Sequence, residues 1–221
     1  MSYTASQIEA LATDADLPQK LAAAIRDGHR GKLRGARMSP QLSYGRHAGP
    51  APVTVRAAAV MMLLFRRGGR WHLPLTERPT SLARHGGQIS LPGGAIDRNE
   101  SSGVAACREL KEELGIETPV ELLGRLADCY VFASDFLVTP WIATVNFEPH
   151  WRPQVREVKD VVELPLDVLL DEDAVGRLTI ESGPLVFHAP CNRVGATRIW
   201  GATSVILSEL CEVLRSLMEK S

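Results

Sequence analysis

The sequence has few cysteines, almost no net charge and no long apolar run. Its four cysteines occur singly, with no Cys-x-x-Cys pair and no histidine at metal-site spacing, so we expect reduced thiols, mostly buried. The formal net charge of −1 provides no field that would attract nucleic acid or an anionic membrane. The longest apolar stretch, Ala57 to Phe65, is too short to cross a bilayer, and the N-terminus lacks the apolar segment of a signal peptide. These absences predict a cytoplasmic protein that binds neither nucleic acid nor membrane.

The length of 221 residues fits one globular domain with an N-terminal extension, or at most two small domains. Ser6-x-x-Glu9 has the pattern of a capping box, and Pro18 to Asp27 has the spacing of a second helix that stops before Gly28. Residues 29–52 are rich in Gly, Arg and Pro, and we expect a linker whose basic residues face water, with a phosphate-binding arm as the alternative. The predicted division is therefore an extension over residues 1–52 and a main domain over residues 53–221.

Strand and helix patterns alternate along the predicted main domain. Strands are predicted at Val55 to Phe65, Trp71 to Leu75, Val120 to Ala127, Phe136 to Asn146 and Leu185 to His188. Helices are predicted at residues 101–114, Pro165 to Leu170 and Ser204 to Met218. The mixture has no internal repeats, which predicts an α/β or α+β layered domain.

An acidic helix is the most informative feature of the chain. Glu109, Glu112 and Glu113 stand at positions i, i+3 and i+4, so they share one helix face. Their mutual repulsion and their place near the helix C-terminus each cost on the order of a few tenths of a kcal/mol. A bound cation would remove both penalties, and a ligand set made of oxygen atoms favours Mg²⁺ or Mn²⁺. A solvated acidic face, partly neutralised by Arg108 and Lys111, is the alternative.

The segment from Gly94 to Ile116 resembles the Nudix box, G-x5-E-x7-R-E-U-x-E-E-x-G-U, in which U is an aliphatic residue. Every defined position is filled, by Gly94, Glu100, Arg108, Glu109, Leu110, Glu112, Glu113, Gly115 and Ile116. The resemblance implies a Nudix-type α/β/α sandwich with a mixed β-sheet, preceded here by a short helical extension. It also implies a hydrolase that splits diphosphate linkages.

The resemblance implies a role for each polar residue of the box. Glu113 would be a principal ligand of Mg²⁺ or Mn²⁺, and Glu109 and Glu112 would complete the metal site. Arg108 would hold and orient Glu109. A carboxylate must also take the proton from the attacking water, and the two candidates are Glu109 and Glu157.

The segment that precedes the box resembles the signature of the coenzyme A pyrophosphatase branch, which has roughly the form L-L-T-x-R-[SA]-x3-R-x3-G-x3-F-P-G-G. The matching residues are Leu75, Thr76, Arg78, Gly87, Pro92, Gly93 and Gly94. The chain departs from the signature where Pro79 replaces Ser or Ala, Ala83 replaces Arg, and Leu91 replaces Phe. The lost arginine bears on substrate choice, because guanidinium groups bind phosphate through paired hydrogen bonds.

This branch resemblance implies hydrolysis of coenzyme A (CoA), or of a CoA derivative, to 3′,5′-ADP and 4′-phosphopantetheine. Arg78, Arg84 and His85 would then contact the diphosphate or the 3′-phosphate. The change at Ala83 favours an alternative, a Nudix hydrolase of ADP-ribose, NADH or another nucleoside diphosphate derivative. A catalytically inactive CoA- or nucleotide-binding module is a further alternative, against which the intact acidic cluster argues. Family analogy leads us to expect a homodimer whose other partner is its small-molecule substrate.

Overall fold

The computed structural model describes residues 3–28, 38, 51–80, 86–182 and 185–219. The helices are α1 (Ala5–Thr13), α2 (Leu17–Arg26), α3 (Ser102–Leu114), α4 (Leu166–Leu170) and α5 (Ala202–Met218), and a 3₁₀ turn spans Glu172–Ala174. The strands are β1 (Arg56–Arg67), β2 (Arg70–Glu77), β3 (Ile89–Ser90), β4 (Gly93–Ala95), β5 (Glu121–Arg125), β6 (Cys129–Val131), β7 (Phe136–Thr144), β8 (Asp160–Pro165), β9 (Val175–Ser182), β10 (Leu185–Val194) and β11 (Thr197–Trp200).

Strand β1 is the centre of the main sheet, because it pairs with other strands on both sides. It runs parallel to β7, with Arg56 opposite Phe136 and Leu64 opposite Thr144. On its other side, residues 58–60 pair with β4 and residues 65–67 with β2, both antiparallel. Strands β3 and β8 pair with β2, and strands β5 and β6 pair with β7. Over the described residues, the main sheet therefore has eight strands of mixed direction.

The main sheet is covered by helices on both faces, as the continuous apolar sequence of β1 requires. Successive β1 side chains enter different cores, because side chains alternate between the faces of a strand. Met62 and Leu64 belong to the core formed with α1, α2, α4 and α5, whereas Met61 and Leu63 pack with α3. The three layers confirm the predicted α/β/α sandwich.

The two N-terminal helices pack into the same core as the rest of the chain. Leu17 and Leu21 of α2 are fully buried there. The indole Nε1 of Trp71 on β2 donates a hydrogen bond to the carbonyl oxygen of Asp14, at 2.7 Å. Residues 29–37 and 39–50, which include most of the expected linker, lie outside the described residues. The division of the chain near residue 52 stays a prediction.

The predicted start of the first helix is wrong by two residues. Thr4 caps α1, because its hydroxyl accepts from the backbone N–H of Gln7 while the Gln7 side chain accepts from the N–H of Thr4. Ser6 lies inside the first turn of α1. Thr4 and Gln7 match the capping-box pattern as well as Ser6 and Glu9 do, so the pattern alone does not choose between them.

A second, three-stranded sheet has the order β11-β10-β9 and is antiparallel throughout. The short strand predicted at Leu185 to His188 continues to Val194, because β9 and β11 supply backbone partners to residues 189–194. The predicted helix over residues 101–114 agrees with α3 within one residue. Among the helices of the described residues, none has the length and apolar character needed to cross a membrane.

Candidate active site

Helix α3 carries the acidic cluster and has well-defined ends. The Ser101 hydroxyl accepts a hydrogen bond from the N–H of Val104 at its start, and Gly115 ends it in the left-handed conformation, with φ 71°. Leu110 and Leu114 fix the apolar side of the helix in the core beneath the sheet. The acidic face of α3 consequently lies against β4.

Arg108 connects the acidic residues of α3 to the preceding loop. Its Nε and Nη2 donate to the two carboxylate oxygens of Glu100, each at 3.0 Å. Its Nη1 donates to Glu109 at 2.8 Å and to Glu112 at 3.0 Å, and Nη2 also reaches the carbonyl oxygen of Ala95. The hydrogen bonds from Arg108 hold the pKa of Glu100 below its usual range and raise the pKa of the guanidinium. Arg108 therefore stays charged and restrains the orientation of Glu109.

The Glu109 carboxylate lies directly over Gly94 of β4. A Cβ atom on residue 94 would stand 2.4 Å from Glu109 Oε1, which is shorter than any normal contact. Burial raises the pKa of Glu109, and the hydrogen bond from Arg108 opposes this shift. Position 94 thus has to be glycine for the carboxylate to occupy this place.

Glu113 is the most buried member of the cluster, with only 4% of its surface exposed. Its Oε2 accepts a hydrogen bond from the N–H of Gly93, at 3.2 Å. Burial raises the pKa of Glu113 to about 8; the bond from Gly93 opposes the shift, and the charges of Glu109 and Glu157 add to it. This buried carboxylate lacks a positive charge sufficient to balance it.

Glu157 lies on the loop between β7 and β8, which packs against the C-terminal end of α3. The backbone N–H of Gln154 donates to the carbonyl oxygen of Glu113 at 3.0 Å, so the loop is attached to the helix at the acidic cluster. The Glu157 side chain is exposed. Its charge adds to the effect of burial on the pKa of both Glu109 and Glu113. The fold thus brings Glu157 to the same site as the α3 carboxylates.

Arg78 follows β2 at the edge of the same site. Lys159 holds the loop to this strand through its N–H, which donates to the carbonyl oxygen of Glu77 at 2.7 Å, and through an ion pair with the Glu77 carboxylate. The Arg78 side chain is partly buried, and its Nε has no hydrogen-bond partner within the described parts of the chain. Its positive charge acts to lower the pKa of Glu113, against the larger effect of burial.

The other predicted substrate-binding residues, Arg84 and His85, lie outside the described residues. Glu112 is close to Arg108 but points toward solvent, with 56% of its side chain exposed. The sequence did not single out Gly93 as a hydrogen-bond donor to Glu113, although the Gly-Gly pair of β4 was a usable signal, because glycine permits close approach of a backbone. The structure thus brings together Arg78, Arg108, Glu109, Glu112, Glu113 and Glu157.

The donor set of the acidic cluster fits a hard divalent cation. All side-chain donors are carboxylate oxygens, and the buried Glu113 needs positive charge. In residues 3–28, 38, 51–80, 86–182 and 185–219, no three His, Cys, Asp or Glu side chains already converge as a metal site. Arg108 contributes to keeping the carboxylates of the cluster apart, because it donates hydrogen bonds to both Glu109 and Glu112.

The family model of the NUDIX domain matches residues 55–180 of this chain. A Citrobacter koseri protein named uncharacterized Nudix hydrolase NudL is 38% identical over 157 residues, which cover 70% of this chain and 81% of that protein. The mouse peroxisomal coenzyme A diphosphatase NUDT7 is 31% identical over 156 residues, which cover 70% of this chain. That aligned region is 62% of the length of the mouse protein. The crystal structure of a Nudix hydrolase from M. smegmatis, RenU, has a TM-score of 0.48 at 19% identity, covering 75% of this chain and 86% of that one.

Proposed function

The chain belongs to the Nudix family of hydrolases, which act on diphosphate linkages, and we propose that it hydrolyses the diphosphate bond of CoA or a CoA derivative with Mg²⁺ or Mn²⁺ as cofactor. The observation that carries the chemical part is the position of Glu109 and Glu113 against Gly94 and Gly93. The buried carboxylate of Glu113 and the partly buried carboxylate of Glu109 both lie against β4, where they would meet a cation and the diphosphate that it neutralises.

The CoA part of the proposal has two supports. The segment Leu75 to Gly94 resembles the CoA pyrophosphatase signature, and Arg78 of that segment lies beside the acidic cluster. The mouse relative, which is 31% identical to this chain over 156 residues, is named as a coenzyme A diphosphatase. The products of CoA hydrolysis would be 3′,5′-ADP and 4′-phosphopantetheine.

Nudix hydrolases generally need divalent metal ions. In this chain the metal would be held by Glu109, Glu112 and Glu113. A bound Mg²⁺ would neutralise charge on the diphosphate oxygens and make the attacking water more acidic. Arg108 fixes the direction in which Glu109 points, through its bond to Oε1. Glu112 would have to turn away from Arg108 to serve as a ligand, which its exposure permits.

A carboxylate takes a proton from the water. The water oxygen attacks one phosphorus atom, and the bridging P–O bond of the diphosphate breaks. Glu109 and Glu157 are both candidates for this base. Burial raises the pKa of Glu109, which suits proton transfer, but Arg108 occupies one of its oxygens. Glu157 is exposed and lies near Glu109 and Glu113, so it can reach a water between these carboxylates and the solvent.

Substrate contacts are proposed for Arg78, Arg84 and His85. Arg78 Nε has no acceptor among the described residues, so it can donate a hydrogen bond to a phosphate oxygen. Arg84 and His85 are assigned to the same role by the signature alone. A cytoplasmic location and a homodimeric assembly complete the proposal; the location rests on the sequence features, and the homodimer on family analogy.

Separate incubations with CoA, ADP-ribose and NADH test the proposal, each with Mg²⁺, with Mn²⁺ and with a chelator. Products are resolved by chromatography. We expect CoA to yield 3′,5′-ADP and 4′-phosphopantetheine in equal amounts, and only when a divalent metal is present. Faster turnover of ADP-ribose would contradict the CoA assignment, and full activity in the presence of the chelator would contradict the metal assignment.

A further inference from the structure

Strand β9 forms an open edge of the small sheet β11-β10-β9. It pairs with β10 on one side, from Val175 opposite Asn192 to Ser182 opposite Leu185, and no strand of the described residues pairs with its other side. Outside this ladder, the backbone N–H and C=O groups of residues 176–182 have no partner in the described part of the chain. Such an edge can pair with a further strand, because every second residue directs its N–H and C=O outward.

The side chains of β9 separate into a polar set and an apolar set. Arg177, Thr179 and Glu181 alternate along the strand with Leu178 and Ile180, so the two sets lie on opposite faces of the sheet. The three polar residues are exposed, and the two apolar residues are partly exposed. Over the ranges that the structure describes, neither Arg177 nor Glu181 takes part in an ion pair. Both charges are therefore available to a second molecule.

The order of residues along β9 is self-complementary. Arg177 precedes Thr179 by two residues, and Glu181 follows it by two. A second copy of β9 can run antiparallel to the first about a two-fold axis through Thr179. In that arrangement Arg177 of each copy lies directly opposite Glu181 of the other. On the other face of the sheet, Leu178 of each copy lies opposite Ile180 of the other.

We propose that the outer edge of β9 is a homodimer interface, in which two copies of the chain join their small sheets into one antiparallel sheet of six strands. Backbone hydrogen bonds between the two β9 strands connect the copies, and the two Arg177–Glu181 pairs fix the register. The inference rests on the homodimeric assembly of the proposed function and assigns the surface that forms it. It does not depend on which diphosphate the enzyme hydrolyses.

The apolar face of the small sheet also fits a second copy. Within one chain, Phe187 of β10 lies opposite Ile180 of β9, and the Phe187 ring meets the Trp200 ring edge to face, with centroids 6.4 Å apart. Pairing of the two β9 strands extends this row from Ile180 to Leu178 of the other copy. The partly exposed surface of both side chains is thereby removed from water, which favours association.

The register through Thr179 is the one that pairs both charges. Residues directly opposite each other must share a face of the sheet, so the two-fold axis passes through a residue. An axis at Leu178 sets Arg177 against Thr179, and an axis at Ile180 sets Thr179 against Glu181. Charged residues at a strand edge often prevent pairing. Opposite charges at equal distances from Thr179 instead attract a second copy of the same strand.

Charge reversal tests this interface at a distance from the acidic cluster of α3. Arg177→Glu sets like charges against each other at both pairs, and Glu181→Arg does the same with the opposite sign. We expect each variant alone to raise the dissociation constant of the dimer by about tenfold or more. Sedimentation equilibrium over a wide range of protein concentrations measures this constant.

An equimolar mixture of the two variants is the decisive sample. One chain then carries two negative charges along β9 and the other carries two positive charges, so we expect a heterodimer about as stable as the unmodified dimer. The double variant, Arg177→Glu with Glu181→Arg, restores both pairs and should also dimerise normally. Arg198→Glu is the control, because Arg198 is exposed on β11, at the opposite edge of the small sheet.

The possible results separate the interface from the rest of the account. A chain that is monomeric at every concentration would overturn both the homodimer and its interface. A dimer that neither reversal weakens, or reversals that the mixture does not rescue, would overturn the interface alone. CoA turnover is measured separately on the unmodified protein, so failure of the substrate assignment leaves the sedimentation result unchanged.

Discussion

The residues of the acidic face differ in burial, and we expect their substitutions to have different effects. Glu113→Gln keeps the shape of a side chain that is 4% exposed but removes the charge that a metal requires. We expect kcat/KM for CoA to fall by about 100-fold or more, because the loss affects both metal affinity and stabilisation of the transition state. Steady-state turnover with Mg²⁺ provides the measurement.

The matched control is Glu117→Gln, three residues beyond α3. Glu117 is exposed and forms a surface ion pair with Lys111, at 2.8 Å. Exposed ion pairs contribute little, so we expect turnover and melting temperature close to those of the unmodified protein. Wild-type activity in Glu113→Gln would remove this residue from the metal site.

Gly94→Ala tests the close approach of Glu109 to β4. The added Cβ atom would stand 2.4 Å from Glu109 Oε1, so the carboxylate must move. Displacement of a catalytic group by about 1 Å can lower turnover by roughly 100-fold, and we expect a loss of up to that size. Gly176→Ala is the control, because its Cβ would meet only the flexible Arg193 side chain, at 3.2 Å. Equal activity of the two variants would show that Gly94 has no catalytic importance.

Glu209 gives the protein a predicted dependence of stability on pH. Its pKa is raised from 4.5 to about 8 by burial, so between these values the folded state keeps a proton that the unfolded state releases. The stability that the proton on Glu209 contributes at low pH is therefore lost as the pH rises through this range. Glu209→Gln cannot ionise, and its melting temperature relative to wild type should rise by a few degrees between about pH 5 and about pH 9.

The exposed neighbour Glu212 supplies the comparison for this titration. Glu212→Gln should change the melting temperature by a similar small amount at both pH values, because its carboxylate remains in solvent. Differential scanning calorimetry of the three proteins across the pH range decides the question. A melting-temperature difference for Glu209→Gln that does not vary with pH would mean that Glu209 ionises normally.

At the scale of the element, the C-terminal end of α3 is the critical point. Gly115 has φ 71°, and an added Cβ atom would be 2.6 Å from Arg152 Cβ, on the loop that carries Glu157. Gly68 in the β1–β2 turn has φ 58° with nothing within 4 Å. We expect Gly68→Ala to cost about 1 kcal/mol of unfolding free energy, the backbone strain alone, and Gly115→Ala to cost about 1–3 kcal/mol more, from the steric clash.

Urea denaturation of both glycine variants measures the two costs. Gly115→Ala should also lower CoA turnover, since displacement of Arg152 moves the loop that brings Glu157 to the site. Equal unfolding free energies for the two variants would show that the loop yields without cost. In that case the close packing at Gly115 does not position Glu157.

The elements that the sequence predicted well are those with strong local signals. Serine before α3 and glycine after it define the ends of that helix, and the Gly68-Gly69 turn defines the β1–β2 hairpin. The acidic face followed from spacing alone. Arg108 was expected to orient Glu109, and the hydrogen bond between them is present.

The features that the sequence left out depend on contacts between distant segments. The length of β10 is set by β9 and β11, and the buried Glu113 carboxylate accepts its hydrogen bond from Gly93, 20 residues earlier. The burial of Glu209 had a partial signal, because Val205, Glu209 and Val213 recur every four residues on the buried side of α5. The sequence alone does not show that an acidic residue in that row is buried, because acidic side chains are rarely buried without a partner.

At the scale of the whole molecule, the N-terminal helices share one core with the main sheet. Leu21 of α2 is fully buried in that core. We expect Leu21→Ala to lower the unfolding free energy by roughly 2–5 kcal/mol in a single transition, because the cavity lies in the common core. Tryptophan fluorescence reports this transition, since all four tryptophans lie at or after Trp71.

Gln19→Ala, at an exposed position of the same helix, should change the unfolding free energy by less than about 0.5 kcal/mol. A tryptophan transition that Leu21→Ala leaves unchanged would show that α1 and α2 unfold separately from the main domain. That result would also support a division of the chain near residue 52.

The proposed substrate is tested most directly by competition in one reaction. The unmodified protein is mixed with Mg²⁺ and equal concentrations of CoA, ADP-ribose and NADH, and the loss of each is followed by chromatography, which gives the ratio of kcat/KM values. We predict that CoA is consumed first, by at least about tenfold, with 3′,5′-ADP and 4′-phosphopantetheine accumulating in equal amounts. Consumption of ADP-ribose or NADH while CoA persists would contradict it.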